Sequence, residues 1–426
     1  MNNQSLKVFN QLASDCEIRG TFEKLDQDLI YRIKSNQIFP KPLLICSGGT
    51  SSRCAANDHW SLDLRKNYQK ITFNKDSKEI EIEAGVIMRK VLNELSLYKR
   101  SFPIGLSNKT GIGYILTGGI SPISRSQGLA IDQIQKIKGI WGSGEVLELS
   151  KPNESSSIHE KTQWRALKGA APFLSIITSI TLKTHQEKPL YLCSDFVNVD
   201  QLSELISKAE QWPKEASLQW IWGETIKAYV VIRLEKSKDR QLAHKIIKEL
   251  PFGENCQISL LKGLKDFPNF SLPMHEEITF QKTHAEVISL LGENWGLEAK
   301  AIIKDLNLLI TKRPNKYCYV ASQQLGGVTT LEDQSASSFI YRNSVWKPWI
   351  NASWPAGDMK TRAQSLSWME EVWKLLKTTC PGVHLAQIHS HLSWHKKELE
   401  MAFLDWLPEL RNLKSIYDPE GLLPPL

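Results

Sequence analysis

The pattern of hydrophobic and polar positions changes once along the chain, at about residue 186. Before that point, short apolar stretches are separated by turns rich in glycine. Charged and apolar residues alternate over residues 79–86, which predicts a half-buried strand, and residues 89–98 switch to helical spacing. Residues 136–149 predict a hairpin, because two apolar stretches flank a Gly-Ser-Gly turn that can adopt positive φ angles. Residues 175–185 predict another strand, since they are rich in β-branched side chains.

After residue 187 the chain has longer amphipathic segments. Residues 199–212 predict a helix whose N-cap is Asp200, residues 218–235 predict two strands, and residues 238–250 predict a second helix. This succession of helices and strands is typical of an α+β layer in which helices cover one face of a sheet. Further helices are predicted at 296–311, 365–378 and 396–416.

Length and composition limit the classes of protein to which the chain can belong. Its 426 residues are enough for two or three domains, and a hydrophobic share of 41% with a charged share of 23% is typical of soluble globular proteins. The net charge of +7 is spread along the chain without a run of five basic residues, which argues against a nucleic-acid or membrane partner. No apolar run approaches the roughly 18 residues that cross a bilayer.

The cysteines and the N-terminal sequence predict the compartment. The seven cysteines are an odd number without a Cys-x-x-Cys pair, which favours reducing conditions. The first 20 residues lack the basic start and apolar core of a secretory signal. We therefore expect a cytoplasmic protein.

The sequence LLICSGGTSSR at residues 43–53 predicts a buried strand that ends in a loop of small residues. Glycines let backbone N–H groups approach a ligand closely, and converging N–H groups form a site for an anion such as a phosphate. The hydroxyl groups of Ser47, Thr50, Ser51 and Ser52 add further donors. The chain has no Gly-x-Gly-x-x-Gly sequence at the start of a helix and no Walker-type Gly-Lys-Ser/Thr sequence, which argues against a Rossmann or P-loop site.

Three further stretches follow this loop in a characteristic order. They are a glycine-rich segment at 101–134, a small-residue turn leading into a strand at 165–182, and LRNLKSIYDPEGLLPP at 410–425. Together with the first loop, they resemble the flavoproteins of the vanillyl-alcohol oxidase and p-cresol methylhydroxylase superfamily, and most of all its berberine-bridge-enzyme-like oxidoreductases. The resemblance implies an α+β fold, with a two-part FAD-binding domain of the p-cresol methylhydroxylase type and an α+β substrate domain.

The resemblance also implies the domain boundaries. The FAD-binding domain is expected over 15–186 and the substrate or cap domain over 187–395. The segment 396–426 is expected to pack back onto the FAD-binding domain, because the family closes that domain with its Tyr-Asp-Pro block.

By the resemblance, two glycine-rich segments hold the cofactor, which is FAD in an extended conformation. The implied cofactor-binding residues are Ser47, Gly48, Gly49, Thr50, Ser51, Ser52, Pro103, Gly111, Gly113, Thr117, Gly118, Gly119 and Ile177. Ile177 is equally well explained as a core residue of its strand. For Asp132 and Arg125 we favour a scaffold role, because buried polar residues most often satisfy backbone groups.

Many relatives attach FAD covalently through a histidine in the first loop, and some also use a cysteine in the second. In this chain Thr50 occupies the histidine position, and the cysteine position falls at or next to Ser107. Without strong activation, a hydroxyl group is not a competent nucleophile toward the flavin. We therefore predict noncovalently bound FAD.

A cluster of histidines lies at 383–395 (VHLAQIHSHLSWH) and raises the question of a metal site. No single helix or strand places His389, His391 and His395 on one face, and the stretch contains no acidic residue or cysteine. We therefore predict no metal.

The same stretch stands where the family often has a Tyr-x-Asn sequence near the flavin, and His384 is the nearest match to that tyrosine. Imidazole is the usual side chain for proton transfer near neutral pH, so the predicted base is His384, His389 or His391, facing the flavin. The alternative is that these histidines are simply packed or exposed. Tyr341 and Arg342 are the next candidates for contact with substrate.

The resemblance predicts an FAD-dependent oxidoreductase, either a dehydrogenase or an oxidase. Its partners would be a small hydroxylated substrate, such as an alcohol, sugar or hydroxy acid, and an electron acceptor, which is oxygen or another oxidant. A second hypothesis is a catalytically retired flavin-binding or interaction protein that keeps the fold. The missing Tyr-x-Asn and the departures at Ile120 and Pro122, where relatives often have glycine, support this alternative.

Overall fold

The computed structural model describes residues 18–50, 54–105, 107, 109–236, 239–268 and 283–426. In these residues the strands up to Gln186 pair into three small sheets, and the strands from Leu190 onward form one large sheet. The change of sequence pattern near residue 186 coincides with this change of sheet.

The first small sheet carries the first glycine-rich loop. Its strands are parallel in the order β1-β3-β2, with β1 at Gly20–Phe22, β2 at Leu44–Cys46 and β3 at Trp60–Asp63. Between β1 and β2 the chain forms the helix Gln27–Lys34, whose N-cap Asp26 accepts a hydrogen bond from a backbone N–H. Because β2 is largely buried and ends at Cys46, the first glycine-rich loop begins at the C-terminal end of a well-anchored strand.

An antiparallel sheet of five strands forms the main layer of the first half. Its order is β4-β5-β9-β7-β8, and its strands are β4 (Ile71–Asn74), β5 (Glu79–Glu83), β7 (Ile134–Trp141), β8 (Val146–Ser150) and β9 (Ser175–Lys183). The predicted strand at 79–86, the hairpin at 136–149 and the strand at 175–185 are all present here. A short ribbon of β6 (Arg100–Ser101) and β10 (His185–Gln186) joins this layer to the next region.

Among the described residues, the first half has four α-helices besides the one after β1. They are Met88–Leu97, Ile112–Leu116, Ser124–Gln127 and Ile158–Leu174. The last begins with a capping box between Ser157 and Glu160 and breaks at Gly169, where φ is 127°. A side chain at Gly169 would also approach the backbone nitrogen of Phe339 to 2.9 Å, so glycine is required there.

The second half is built on an antiparallel sheet in the order β14-β11-β13-β12-β16-β17-β15-β18. Its strands are β11 (Leu190–Val197), β12 (Ala216–Trp222), β13 (Ile226–Arg233), β14 (Gln257–Leu261), β15 (Thr283–Leu291), β16 (Tyr319–Gln324), β17 (Trp346–Pro355) and β18 (Gly382–Val383). The helices Val199–Ala209, Asp239–Lys248, Ala299–Thr311 and Met359–Leu376 complete the layer. The predicted α+β fold is confirmed.

Two local predictions in this half were wrong. The N-cap of the helix Val199–Ala209 is Asn198, which forms a capping box with Gln201, and Asp200 lies inside the first turn. The single helix predicted at 396–416 is two helices, His395–Phe403 and Leu407–Tyr417, because Leu404 has a φ of 43° that interrupts the helix.

The C-terminal helix packs against the first half of the chain. The rings of Tyr417 and Trp141 stack at 3.9 Å between centroids, and the Ser143 N–H donates to the Tyr417 carbonyl. Beyond this helix, the Leu43 N–H donates to the Leu422 carbonyl, so the end of the chain lies beside β2.

Candidate functional site

A cavity of about 520 Å³ lies between the glycine-rich segments and the large sheet. One wall is the loop after β2, a second is the segment around the helix Ile112–Leu116, and a third is formed by β15, β16 and β17. Among the lining residues are Ser47, Gly48, Gly49, Thr50, Gly111, Gly113, Thr117, Ile177, Ser289, Tyr319, Gln323, Lys347 and Trp349.

The two glycine-rich segments touch each other through their backbones. A Cβ atom on Gly48 would lie 2.4 Å from the Gly111 nitrogen, and one on Gly111 would lie 2.6 Å from the Gly48 nitrogen. Gly49 has a φ of 72°, which L-residues rarely adopt. Glycine is therefore needed at all three positions to bring the backbones together at the cavity wall.

Several residues of the predicted cofactor set do not line this cavity. Gly119, with a φ of 71°, packs against Ala130, and Gly118 lies against His384. Pro103 is buried but is not part of the wall. Ser51 and Ser52 lie outside the described residues.

Arg65 is a charged neighbour of the first loop that the sequence patterns did not reveal. Its guanidinium group lies 2.6 Å from the position a Cβ on Gly49 would take, and it pairs with Asp63 at 2.8 Å. Because the Arg65 side chain is only 16% exposed, it places a positive charge directly behind the loop.

The residues present fit a dinucleotide. Close backbone approach at Gly48 and Gly111 leaves N–H groups without side-chain cover, which suits a pyrophosphate, and Arg65 adds a positive charge. At the base of the cavity Ile177, Ser175 and Leu44 form a mostly apolar wall, which suits a ring system.

Comparison with known proteins agrees with this site. A family model described as an FAD binding domain matches residues 26–150. An FAD-linked oxidoreductase of Dictyostelium discoideum is 22% identical over 407 residues, which covers 93% of this chain and 85% of that protein.

Solved structures share the fold of this chain as well. A chitooligosaccharide oxidase has a TM-score of 0.81 at 15% identity, covering 99% of this chain and 94% of its own. Berberine bridge enzyme from Eschscholzia californica has a TM-score of 0.75 at 18% identity, covering 100% and 94%.

The chain is an FAD-dependent oxidoreductase with the berberine-bridge-enzyme-like fold. The resemblance inferred from the four sequence blocks is therefore confirmed, and so is FAD as the cofactor.

In this oxidoreductase, His384 lies next to the large cavity rather than in its wall. Its backbone N–H donates to the Ser289 carbonyl at 2.9 Å, and its ring meets Tyr114 edge-on. With Tyr341, the ring lines a second cavity of about 10 Å³. Burial, which is the larger cause, and the neighbouring Lys347 hold the pKa of His384 well below its usual value, so its ring is neutral.

The predicted bases His389 and His391 are paired with carboxylates and do not line the large cavity. His389 Nδ1 lies 2.9 Å from the Glu398 carboxylate, and His391 Nε2 lies 2.8 Å from Glu286. Glu286 precedes the cavity-lining Val287 on β15, so its side chain points to the opposite face of the sheet. Across the part of the chain that the structure describes, no group of His, Cys, Asp and Glu is arranged to hold a metal.

Arg342 and Asp132 form a buried ion pair at 2.9 Å, and Arg342 also donates to the Ser337 hydroxyl. Arg125 donates to the carbonyls of Leu325 and Trp212, each at 2.7 Å. These contacts give all three charged residues structural roles. Arg342 is therefore engaged and is not directed at the cavity.

Sequence reasoning missed the polar residues of the third wall. Lys347, Trp349, Gln323 and Ser289, which we call the sheet wall, lie side by side on three strands and all line the cavity. Gln323 is directly opposite Lys347, and Ser289 is directly opposite Trp349. The one sign of this wall in the sequence was a single charged residue, Lys347, in the otherwise mostly apolar sequence SVWKPWI.

One thiol also reaches the cavity. Cys54 lines it and interacts with the Cys46 thiol, and this hydrogen bond together with burial raises the pKa of Cys46.

Among the described residues, no helix has the length and apolar character needed to cross a membrane.

Proposed function

We propose that the protein oxidises a small hydroxylated substrate, such as an alcohol, sugar or hydroxy acid, bound between noncovalently held FAD and the sheet wall. The observation that carries this proposal is a pair of buried polar atoms in that wall. Ser289 Oγ and Gln323 Nε2 have no hydrogen-bond partner among the described residues. Such an atom costs about 1–3 kcal/mol when it stays unpaired, so a ligand with hydroxyl groups would relieve this cost.

The aromatic side chains of the cavity favour a sugar within this class. Trp349 and Tyr319 contribute apolar ring surface on the sheet face that carries the amide of Gln323 and the hydroxyl of Ser289. Ring faces suit the C–H faces of a sugar, and the polar groups suit its hydroxyls. A chitooligosaccharide oxidase has the same fold, which supports this choice.

The backbone of Ser47–Thr50 and of Gly111–Gly113 would hold the pyrophosphate, and Ile177 would contact the adenosine part. When bound, FAD accepts a hydride from a substrate carbon, which oxidises the substrate by two electrons. The protein contributes orientation, exclusion of water and a proton acceptor for the substrate hydroxyl.

Noncovalent attachment is part of the proposal. Thr50 and Ser107 line the cavity, and neither hydroxyl is a competent nucleophile toward the flavin. Cys54 is the one cavity-lining thiol of the described residues, so it is the residue to exclude by experiment.

Two measurements test the proposal. The yellow holoprotein is mixed anaerobically with a panel of alcohols, hydroxy acids and oligosaccharides, including chitooligosaccharides, and bleaching of the flavin is followed. Bleaching by a panel member supports the proposal, whereas an unbleached flavin across the panel favours the retired flavin-binding protein. The protein is then denatured in acid and filtered. Flavin that stays with the wild-type chain but not with Cys54→Ser would show attachment through Cys54.

A further inference from the structure

We propose that Lys347 is the general base of the oxidation, taking the proton of the substrate hydroxyl. This inference rests on the proposed function. It departs from the histidine hypothesis, since none of His384, His389 and His391 lines the large cavity.

Lys347 is held in the cavity wall by its strand. Its neighbour Trp346 is fully buried on the other face of β17, where the indole N–H donates to Glu210 at 2.7 Å. Alternation along the strand therefore directs Lys347 and Trp349 to the cavity. Lys347 is 5% exposed, and its Nζ lies 4.4 Å from the centre of the Trp349 ring. Gln323, with its unpaired amide nitrogen, is directly opposite.

This environment favours the neutral amine at physiological pH. The described residues supply no carboxylate within ion-pairing distance of Lys347, and burial lowers its pKa to about 7. Three other titratable groups line the cavity or lie beside it. His384 is neutral because its pKa is well below the usual value, and burial raises the pKa of Tyr114 and of Tyr319, so both phenols stay protonated.

Lys347 Nζ uses its lone pair to take the hydroxyl proton, and the O–H electrons form the second bond of the product carbonyl. The adjacent carbon gives up the electron pair of its C–H bond as hydride, and FAD, once bound, would be the two-electron oxidant that accepts it. The substrate is oxidised by two electrons, and the ammonium group of Lys347 later returns its proton to solvent.

Lys347→Met and Lys347→Arg test the role, with Lys227→Met as the matched control. Lys227 also lies over aromatic rings, those of Phe196 and Tyr229, but on a different part of the sheet. The substrate is the panel member that bleaches the wild-type flavin fastest, and reduction is followed by anaerobic stopped flow from pH 5.5 to 9.5. Loss of a general base costs about 100-fold or more, so both Lys347 variants should reduce at least about 100-fold more slowly at pH 8. The wild-type and control rates should rise with pH around 7, and both Lys347 variants should lose this rise.

A second readout does not depend on turnover. In holoprotein labelled with ¹³C at the lysine Cε, one resonance should titrate near pH 7 and should be missing from Lys347→Arg. The proposal is overturned if the variants reduce within about threefold of wild type with the rise intact, or if no such resonance exists. Should no panel member bleach the flavin, the proposed function fails, and the NMR titration alone decides whether Lys347 has the protonation behaviour of a base.

Discussion

Asp132 and Arg342 are 210 residues apart in sequence, yet their side chains form an ion pair at 2.9 Å, with 4% and 1% of their surface exposed. Asp132 also accepts the Leu129 N–H, so it fixes the end of the second glycine-rich segment. The pair ties this segment to the chain that leads into β17. The relative position of the FAD loops and the sheet wall therefore depends in part on this contact.

Removing one partner of this pair should destabilise the protein strongly. Arg342→Met leaves the Asp132 carboxylate buried without its cation, which typically costs about 3–5 kcal/mol. Urea unfolding of the holoprotein measures the change in free energy. Lys66→Met is the control, because it breaks an ion pair with Glu23 in which both side chains are about half exposed, and such pairs contribute little to stability. A loss below about 1 kcal/mol for Arg342→Met would contradict the structural role.

Contact between the glycine-rich segments should be required for FAD binding. In Gly111→Ala the new methyl group would lie 2.6 Å from the Gly48 nitrogen and 2.7 Å from the Ser47 hydroxyl, so the first loop must move. Overpacking of this kind costs about 1–3 kcal/mol, and the FAD dissociation constant should rise about tenfold or more. Quenching of flavin fluorescence on titration into apoprotein measures it.

Gly253→Ala provides the control for that substitution. Its methyl group would lie 3.6 Å from the Asp195 carboxylate, an ordinary contact remote from the cavity. The FAD affinity of this variant should equal that of the wild type. Equal affinity for Gly111→Ala as well would mean that the two loops do not form the pyrophosphate site.

The sequence was most informative where local backbone chemistry determines the structure. The glycines at 48, 49 and 111 permit an approach that no other residue allows, so their pattern already pointed to the two glycine-rich segments that line the cavity. The alternation in β5 and the β-branched side chains of β9 are likewise local features that can be recognised without a distant partner. Helix ends were predicted less well. Asn198 and Asp200 are both good N-cap residues, and the cap is the one whose backbone is extended, which is Asn198.

The sheet wall and the pairing of His391 could not be predicted because they depend on distant contacts. Gln323 meets Lys347 through strand register, and Glu286 reaches His391 across 105 residues. The histidine stretch at 383–395 contains no carboxylate, so the sequence did not show that His389 pairs with Glu398 or that His391 pairs with Glu286. Single-sequence patterns therefore identified the two glycine-rich segments that line the cavity but not its third wall.

His389 should contribute to stability rather than to flavin reduction. It is buried against Glu398, so His389→Gln weakens a buried pair, and a loss of about 1–3 kcal/mol in the free energy of unfolding is expected. Anaerobic reduction by the best panel substrate should stay within about threefold of wild type. His59→Gln, which alters an exposed histidine bonded to the Asn57 carbonyl, should change neither quantity. A reduction rate lowered about 100-fold would return the role of base to His389.

The buried Lys347 should also make stability depend on pH in a defined direction. Burial lowers its pKa from 10.5 to about 7, so between these values the unfolded chain binds more protons than the folded one, and wild-type stability should rise with pH. Below pH 7 the cost of burying the charge is fully present, and above about pH 10.5 it disappears. Lys347→Met removes that cost at similar side-chain volume, so it should be more stable than wild type at pH 6, by up to about 5 kcal/mol at 1.36 kcal/mol per pKa unit.

The advantage of Lys347→Met should shrink steadily as the pH is raised from 7 to 10, and urea unfolding at closely spaced pH values measures it. Lys227→Met, applied to a partly exposed lysine, corrects for pH effects common to the whole chain. A constant difference between Lys347→Met and wild type across this range would mean that Lys347 stays charged when folded. An ammonium group cannot accept a proton, so that outcome would remove the general base from the sheet wall as well.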